Sequence, residues 1–253
     1  MKILTLILLF FTFINAKSIE ASYKVSFGIF GQIGIAKASL HVSHDGNYTI
    51  NMHAKSTGLS SFLSGQRQEW YKSSGKLDTM GFLRPDTYSK VVQKNVNTSE
   101  NASNSFRLKK DTKNYTLDHK HKKVMVSQQK KLDEKIIATS NETLEYYAQN
   151  DLLSLFFNFK DLLYDTQKPL VLHAVGANKK DGKIEITPIS DTKALQEEFG
   201  WSEGVYLKVT LNDKIFASEK GELLINLNDA GIAQNAVLKD VLFFGDIRGD
   251  LIK

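Results

Sequence analysis

The longest regular hydrophobic pattern in the chain lies between residues 144 and 163, LEYYAQNDLLSLFFNFKDLL. Apolar side chains recur there at three- and four-residue steps, which is the spacing of one face of an α-helix. Two starting points are open. Thr139 and Glu142 match a capping box upstream, whereas Asp151 suits the N-cap of a shorter helix. Pro169 ends the segment because the residue before a proline avoids helical dihedrals.

Most of the remaining chain alternates polar and apolar residues, which is the pattern of half-buried β-strands. Polar residues at 95–104 predict a loop, 57–65 predicts a helical turn or loop tip, and 192–199 predicts a short helix. The alternation predicts strands at 19–27, 32–42, 47–56, 66–74, 86–93, 106–110, 114–118, 124–128, 170–175, 182–189, 204–211, 221–227 and 237–244.

Many short strands and one amphipathic helix define the expected fold class. An open sheet of about ten strands usually curls or closes, and a helix can then cover its hollow side. We therefore expect a mainly β protein, with a strongly curved antiparallel sheet or incomplete barrel and the one amphipathic helix packed on its concave face. No repeat or long linker divides the chain, so residues 17–253 are predicted to form a single β-rich domain.

The start of the chain, MKILTLILLFFTFINAKS, has the pattern of a secretory signal peptide. One lysine precedes an apolar run that ends at the small residue Ala16. The run is shorter than the ~20 apolar residues of a transmembrane helix, although an uncleaved membrane anchor is the alternative. We expect residues 1–16 to be a signal peptide cleaved near Ala16, which predicts a periplasmic or secreted protein.

Composition narrows the expected chemistry and partners. The chain contains no cysteine, which excludes thiol nucleophiles and thiolate metal sites. Its formal net charge is +5 at pH 7, and the stretch from Arg107 to Lys135 holds ten Lys or Arg against four Asp or Glu. For an exported protein this predicts peripheral contact with anionic lipid or cell-wall polymer rather than nucleic acid. The alternative is a solvated hairpin whose lysines keep an edge strand from aggregating.

Catalytic signatures are weak in the sequence, which contains no H-E-x-x-H. GWSEG at 200–204 matches G-x-S-x-G, but it follows a predicted helix and precedes a predicted strand, whereas a nucleophile elbow turns from a strand into a helix. His119 and His121 would face the same side of a strand and could share a metal, but the lysines around them favour a solvated turn. His173 lies in an apolar strand, and His41 and His53 lie on neighbouring predicted strands. Core or cross-strand packing accounts for these three, so we expect no enzyme, no cofactor and no metal.

Aromatic side chains are the remaining candidates for binding. If the sheet does not close fully over the helix, an apolar cavity remains, and such cavities suit acyl chains and similar ligands. A filled core is the alternative. The candidate ligand-binding residues are Trp70, Phe82, Tyr88, Leu152, Phe156, Phe159 and Phe243.

Several short motifs resemble an exported bacterial family, the domain of unknown function 3108. They are the strand pair between Tyr23 and Val42, DGNY at 45–48, FLRP at 82–85 before Tyr88, NDLLS at 150–154, NDAG at 228–231 and FGDIRG at 244–249. Leu152 departs from the proline expected after Asp151. The resemblance implies a secreted or periplasmic β-rich protein, with no established activity and no catalytic residues.

Three functions follow from these observations. The first is non-enzymatic binding of an apolar or amphipathic envelope component, such as a lipid or an envelope polymer. The second is a structural or assembly protein that contacts other proteins through sheet edges or the loop at 95–104. The third is a hydrolase with an unrecognised site.

Overall fold

One large sheet makes up most of the protein. The computed structural model describes residues 16–97, 106–163, 168–177, 180–210, 221–241 and 245–252. The predicted signal peptide therefore lies outside the described residues except for Ala16. Fifteen strands form an open, curved sheet. They are β1 Lys17–Phe27, β2 Gln32–Val42, β3 Asn47–Ser56, β4 Gln68–Leu77, β5 Leu83–Asn97, β6 Phe106–Asp118, β7 Lys123–Leu132, β8 Lys135–Thr143, β9 Asn150–Asp151, β10 Leu170–Val175, β11 Lys183–Pro188, β12 Val205–Thr210, β13 Glu222–Leu227, β14 Ala233–Leu238 and β15 Ile247–Leu251.

Three α-helices accompany the sheet in the described part of the chain: α1 Gly58–Leu63, α2 Leu152–Leu163 and α3 Lys193–Phe199. Helix α1 is the short helical turn predicted at 57–65, and α3 confirms the helix predicted at 192–199. No helix among the described residues is long and apolar enough to cross a membrane.

The strand order is β8-β7-β6-β5-β4-β3-β2-β1-β15-β14-β13-β12-β11-β10-β9. Two meanders therefore meet where β1 pairs with β15 at the centre of the sheet. Every strand pair is antiparallel except β9 with β10. The middle of the chain, where β8 is followed by β9, supplies both outer edges.

Helix α2 begins at Leu152, which confirms the shorter of the two predicted helices. The carboxylate of Asp151 accepts hydrogen bonds from the backbone N–H groups of Leu153 and Ser154, both at 2.8 Å. It thereby satisfies two donors that a helix start leaves unpaired. The longer helix capped by Thr139 and Glu142 is wrong, because those residues pair with β7 as part of β8.

The predicted packing of this helix on the concave face is confirmed. Leu155, Phe159 and Leu163 of α2 are buried in a cluster formed with β10 to β14. Leu153 is buried in a second cluster, formed mainly with β2 to β7. Helix α2 therefore packs against both halves of the sheet, and the face that it covers is called the inner face below.

Several predicted strand boundaries are wrong. The strands predicted at 106–110 and 114–118 are one strand, β6, and the strand predicted at 237–244 corresponds to β14, which ends at Leu238. Strands β8 and β15 were not predicted by the alternation of polar and apolar residues. The strand predicted to end at residue 74 continues through Gly75 to Leu77. There the strand register shifts by a bulge next to Gly75.

Gly75 is required by the close approach of β5. A Cβ atom at this position would lie 1.9 Å from the Arg84 carbonyl oxygen and 2.8 Å from the Pro85 Cα. Because both atoms belong to the backbone, Gly75→Ala is expected to lower the free energy of unfolding by at least about 1–3 kcal/mol, the usual cost of overpacking. Gly249→Ala is the control, since nothing lies within 4 Å of its added Cβ. Urea unfolding monitored by circular dichroism measures the difference, and equal midpoints for the two variants would contradict the proposed clash.

Candidate functional site

A buried polar network fixes the start of α2 to the sheet. The second carboxylate oxygen of Asp151 accepts a hydrogen bond from Ser73 Oγ at 2.5 Å, and Ser73 Oγ lies 3.2 Å from the Tyr48 hydroxyl. Burial raises the pKa of Asp151 to about 6, although the hydrogen bonds from Ser73 and from the helix start oppose this shift. Ser73 and Asp151 have no exposed surface, so the network positions the helix.

Asn158 makes a second polar attachment between α2 and the sheet. Its Oδ1 accepts a hydrogen bond from the Leu83 N–H at 3.0 Å, and its Nδ2 donates to the Leu83 carbonyl at 3.1 Å. The Asn158 side chain is buried. In the sequence Asn158 is a polar residue that interrupts an apolar helix face. Its role becomes clear only from its hydrogen bonds to Leu83, the first residue of β5.

The structure does not bring the seven candidate ligand-binding residues together around one cavity. Tyr88 and Phe159 are buried in different clusters, while Leu152 and Phe156 pack partly buried beside Phe159. Phe82 is half-buried, and Phe243 lies outside the described residues. Trp70 lies on the outer face, because β4 places Tyr71 and Ser73 on the inner face.

Beyond the start of α2, the inner face of β5, β6 and β7 carries lysines, because the helix runs from Ser73 towards Leu83 and the lysines lie on the opposite side of Tyr88. Tyr88 is buried on this face, and residues an even number apart in a strand share a face, which places Lys90 and Lys94 there. Across the ladder, Lys113 lies opposite Lys90, Lys109 opposite Lys94, and Lys130 opposite Asp111. All five lysines are half-buried. The basic inner surface, as named here, consists of Lys90, Lys94, Lys109, Lys113 and Lys130.

Two carboxylates on the same face are already engaged. Glu69 forms ion pairs with Arg67 at 2.6 Å and with Lys90 at 3.5 Å. Burial acts to raise the pKa of Glu69, but the Tyr71 hydroxyl and the two cations outweigh it and hold that pKa below its usual value. Asp111 accepts both of its hydrogen bonds, at 2.7 and 3.0 Å, from the Gln128 amide.

Three of the five lysines keep their charge available. Within the part of the chain that the structure describes, no carboxylate lies within 4.0 Å of the ammonium groups of Lys94, Lys109 and Lys130. A half-buried lysine keeps its alkyl stem against the sheet and extends its ammonium group towards water. The basic inner surface therefore presents several cations to the same hollow, which favours an anionic ligand.

An aromatic border separates this surface from the core. Met52, Tyr71 and Tyr115 are partly buried and pack against the cluster below α2. The ammonium nitrogen of Lys90 lies 5.1 Å from the centroid of the Tyr71 ring, within cation–π distance. The inner face therefore changes from apolar beside the helix to cationic further along the same strands.

The outer face holds a groove of about 550 Å³. The His53 and Trp70 rings stack there with centroids 4.9 Å apart and planes 4° apart, and His53 Nε2 lies 3.2 Å from Gln68 Oε1. Of the seven candidates, only Trp70 lines this groove. Two neighbouring cross-strand rows form its walls: Ser22, Lys37, His53, Trp70 and Val91 in one, and Glu20, Ser39, Asn51, Lys72 and Ser89 in the other.

Three other histidines, His119, His121 and His173, have protein partners. His119 Nε2 donates to the Pro85 carbonyl at 2.8 Å, and its Nδ1 lies 2.6 Å from the Tyr147 hydroxyl. His121 Nδ1 lies 2.7 Å from Asp118, and His173 Nδ1 donates to the Asp181 carbonyl at 2.7 Å. Over the described ranges, no group of three His, Asp or Glu residues is placed to hold a metal ion.

The fold defines a class of open, barrel-like β proteins. A solved structure with this fold is the β-barrel-like protein of the domain of unknown function DUF1849 from Brucella abortus, with a TM-score of 0.50 and 14% sequence identity over 95% of this chain and 98% of that one. No protein-family model and no curated protein matches the sequence. The likeness supports a fold shared with an uncharacterised family, but it does not support family 3108 in particular.

Proposed function

We propose that this protein is an exported, non-enzymatic component of the cell envelope whose inner face binds an anionic amphiphile. The observation that carries the proposal is the position of the basic inner surface directly beyond the aromatic border. An amphiphile needs apolar contact at one end and compensation of its charge at the other. Strands β4 to β7 offer both along one face.

The charge balance supports an anionic head group. Glu69 is paired with Arg67 and Lys90. Among the described strands, Asp111 is the one carboxylate directly opposite a lysine of this set, so the three positive charges of Lys94, Lys109 and Lys130 exceed the negative charge beside them. Each lysine near an anionic lipid surface contributes about 1 kcal/mol of attraction. The apolar part of the ligand would lie against Tyr71 and Tyr115. The signal-peptide pattern supports the envelope as the place where such a ligand is met.

The test compares two lysolipids with the same acyl chain, lysophosphatidylglycerol and lysophosphatidylcholine, by native mass spectrometry and calorimetric titration below their micellar concentrations. The chain without residues 1–16 is expected to bind the anionic lipid more tightly. Replacing Lys94, Lys109 and Lys130 by glutamine removes about 3 kcal/mol of attraction and is expected to weaken binding about a hundredfold.

Lys110→Gln combined with Lys131→Gln is the matched control, because these two lysines lie opposite one another on the outer face of the same strands. The control is expected to bind the anionic lipid as the parent protein does. Equal affinity for the two lipids, or equal losses in the inner-face and outer-face variants, would rule out the proposal.

A second candidate function is assembly with other proteins, and the open edge of β8 is the observation that favours it. All nine residues of β8 are exposed. Crosslinking in the native envelope followed by affinity capture tests this candidate. Recovery of the same partner from the parent protein, and its loss when the edge is blocked, is the expected result.

A further inference from the structure

Strand β8 is an open sheet edge with an unusual sequence for that position. It is the last strand on its side of the sheet, and all of its residues are exposed. Ile136 and Ile137 are each 52% exposed. Edge strands of soluble proteins are usually protected by charges, proline or a covering element. The sequence KIIATSNET has no proline, and its charges lie only at Lys135 and Glu142.

The opposite edge of the sheet is only partly covered, because β9 pairs with Ala174 and Val175 alone. Strand β9 has only two residues, Asn150 and Asp151, and both are buried. Helix α2 follows directly after them. Residues 170–173 of β10 remain as a short edge. Among the described strands, β8 with its nine exposed residues is therefore the longest edge at which another strand can be added.

The hydrogen-bond register shows which backbone groups of β8 face outward. The N–H of Leu144 donates to the Val124 carbonyl at 2.9 Å, so Leu144 points towards β7. Because neighbouring residues in a strand point their backbone groups to opposite sides, Glu142 and Ser140 also point towards β7. Thr139 and Asn141 then direct their N–H and C=O groups away from the sheet.

We propose that β8 pairs antiparallel with β8 of a second copy of this chain. Antiparallel pairing brings the Lys135 end of each strand towards the Glu142 end of its partner, whereas parallel pairing would bring like charges together. The contact is isologous, since the same edge serves both copies. Because the contact pairs each β8 edge with the same edge of the other copy, it is complete at two copies and does not continue into a fibre.

Such a dimer would also enlarge the basic inner surface. A two-fold axis perpendicular to the joined sheets keeps the inner faces of both copies on the same side. The lysines of β5 to β7 from each copy would then flank the new strand pair. Dimerisation itself does not depend on the proposed ligand, so the two proposals can fail separately.

Thr139→Pro is the decisive variant. Proline removes an N–H that points away from β7, so it blocks strand addition while leaving the ladder between β7 and β8 intact. In analytical ultracentrifugation over a dilution series, the chain without residues 1–16 is expected to have the molecular mass of a dimer. The proline variant is expected to have the mass of a monomer. Thr139→Ala keeps the N–H and is expected to remain a dimer.

Amide hydrogen exchange provides the second measurement. In the parent protein the amides of Thr139 and Asn141 are expected to be protected. In the combined variant Ile136→Lys and Ile137→Lys, which changes only exposed side chains, these two amides exchange rapidly while Ser140 stays protected by β7. A monomeric parent protein, or rapid exchange of Asn141 in it, would overturn the proposal, as would capture of a different protein at this edge by an otherwise monomeric chain.

Discussion

Asp151→Ala is expected to lower the free energy of unfolding by about 3–5 kcal/mol. The substitution removes the acceptor of three hydrogen bonds at once, from the N–H groups of Leu153 and Ser154 and from the Ser73 hydroxyl. All three donors are buried. A buried donor left without a partner costs about 1–3 kcal/mol, so the total is a large part of the stability of an ordinary domain. Equilibrium denaturation at pH 7 measures the loss.

Asp151→Asn is the control for this prediction and also tests the buried charge. Asparagine keeps an oxygen for the two helix N–H groups, and its amide can donate to Ser73. Loss of stability in the alanine variant without a comparable loss in the asparagine variant is the expected pattern. Equal and large losses in both would mean that the carboxylate charge itself is needed.

The asparagine variant also isolates a pH dependence. Burial raises the pKa of Asp151 from 3.8 to about 6 in the folded state, so the folded protein holds this proton more tightly than the unfolded chain. The stabilisation from this group is therefore complete below about pH 4 and is lost as the pH rises through 6. About two pKa units correspond to about 3 kcal/mol.

Measured from pH 4 to pH 7, the stability of the parent protein relative to Asp151→Asn is expected to fall by roughly that amount. The stability of the parent protein is compared with that of Asp151→Asn because other carboxyl groups make stability rise with pH. The pKa values of Asp78 and Glu69, for example, are held below their usual values. A flat difference curve would show that Asp151 keeps an ordinary pKa in the folded protein.

The fold class could be predicted from the sequence because it depends on patterns among neighbouring residues. Alternation along β2 and β3 predicted those strands at their observed bounds, and Asp151 could be recognised as a helix cap from its own preferences. The choice between the two helix starts was not local. It depended on whether residues 135–143 pair with β7 as a strand. Because every residue of β8 is exposed, its sequence lacks the alternation that would have predicted that pairing.

The inner and outer faces of the sheet were harder to predict. Trp70 and Tyr71 are adjacent aromatic residues, so the alternation around them does not say which one faces the core, and a shift of one residue exchanges the two faces. The candidate pocket included Trp70, but Tyr71 lies on the inner face. The sequence likewise shows that residues 107–135 are rich in lysine. Only the pairing register of β5 to β7 shows which of these lysines lie on the inner face and which on the outer face.

Asn158 shows why hydrophobic periodicity does not predict polar contacts between distant parts of the chain. An asparagine in an apolar helix face normally lowers the apparent amphipathicity, and nothing near it in sequence reveals its partner. Asn158 is bonded at both ends of its amide to Leu83, which is 75 positions away. The periodicity of a helix therefore does not reveal polar residues that satisfy a distant backbone group, although such residues help to fix the helix in position.

Phe159→Ala is expected to destabilise the protein by about 3–5 kcal/mol, the usual cost of deleting a buried phenylalanine ring. The ring is only 4% exposed and belongs to the cluster that α2 forms with the second half of the sheet. Phe62→Ala in α1 is the matched control, because that ring is 76% exposed and its loss is expected to change stability by less than about 0.5 kcal/mol. Thermal and urea unfolding of the two variants give the comparison.

The outcome also bears on where a ligand can lie. If α2 is a fixed part of the core, Phe159→Ala should lower stability and leave lysolipid binding at the basic inner surface unchanged once the variant is folded. If α2 instead moves aside to admit a ligand, the cavity left by the ring should tighten binding of the acyl chain, as enlarging an apolar pocket does. Unchanged stability together with tighter binding would therefore indicate that the ligand binds beneath α2 and not at the basic inner surface.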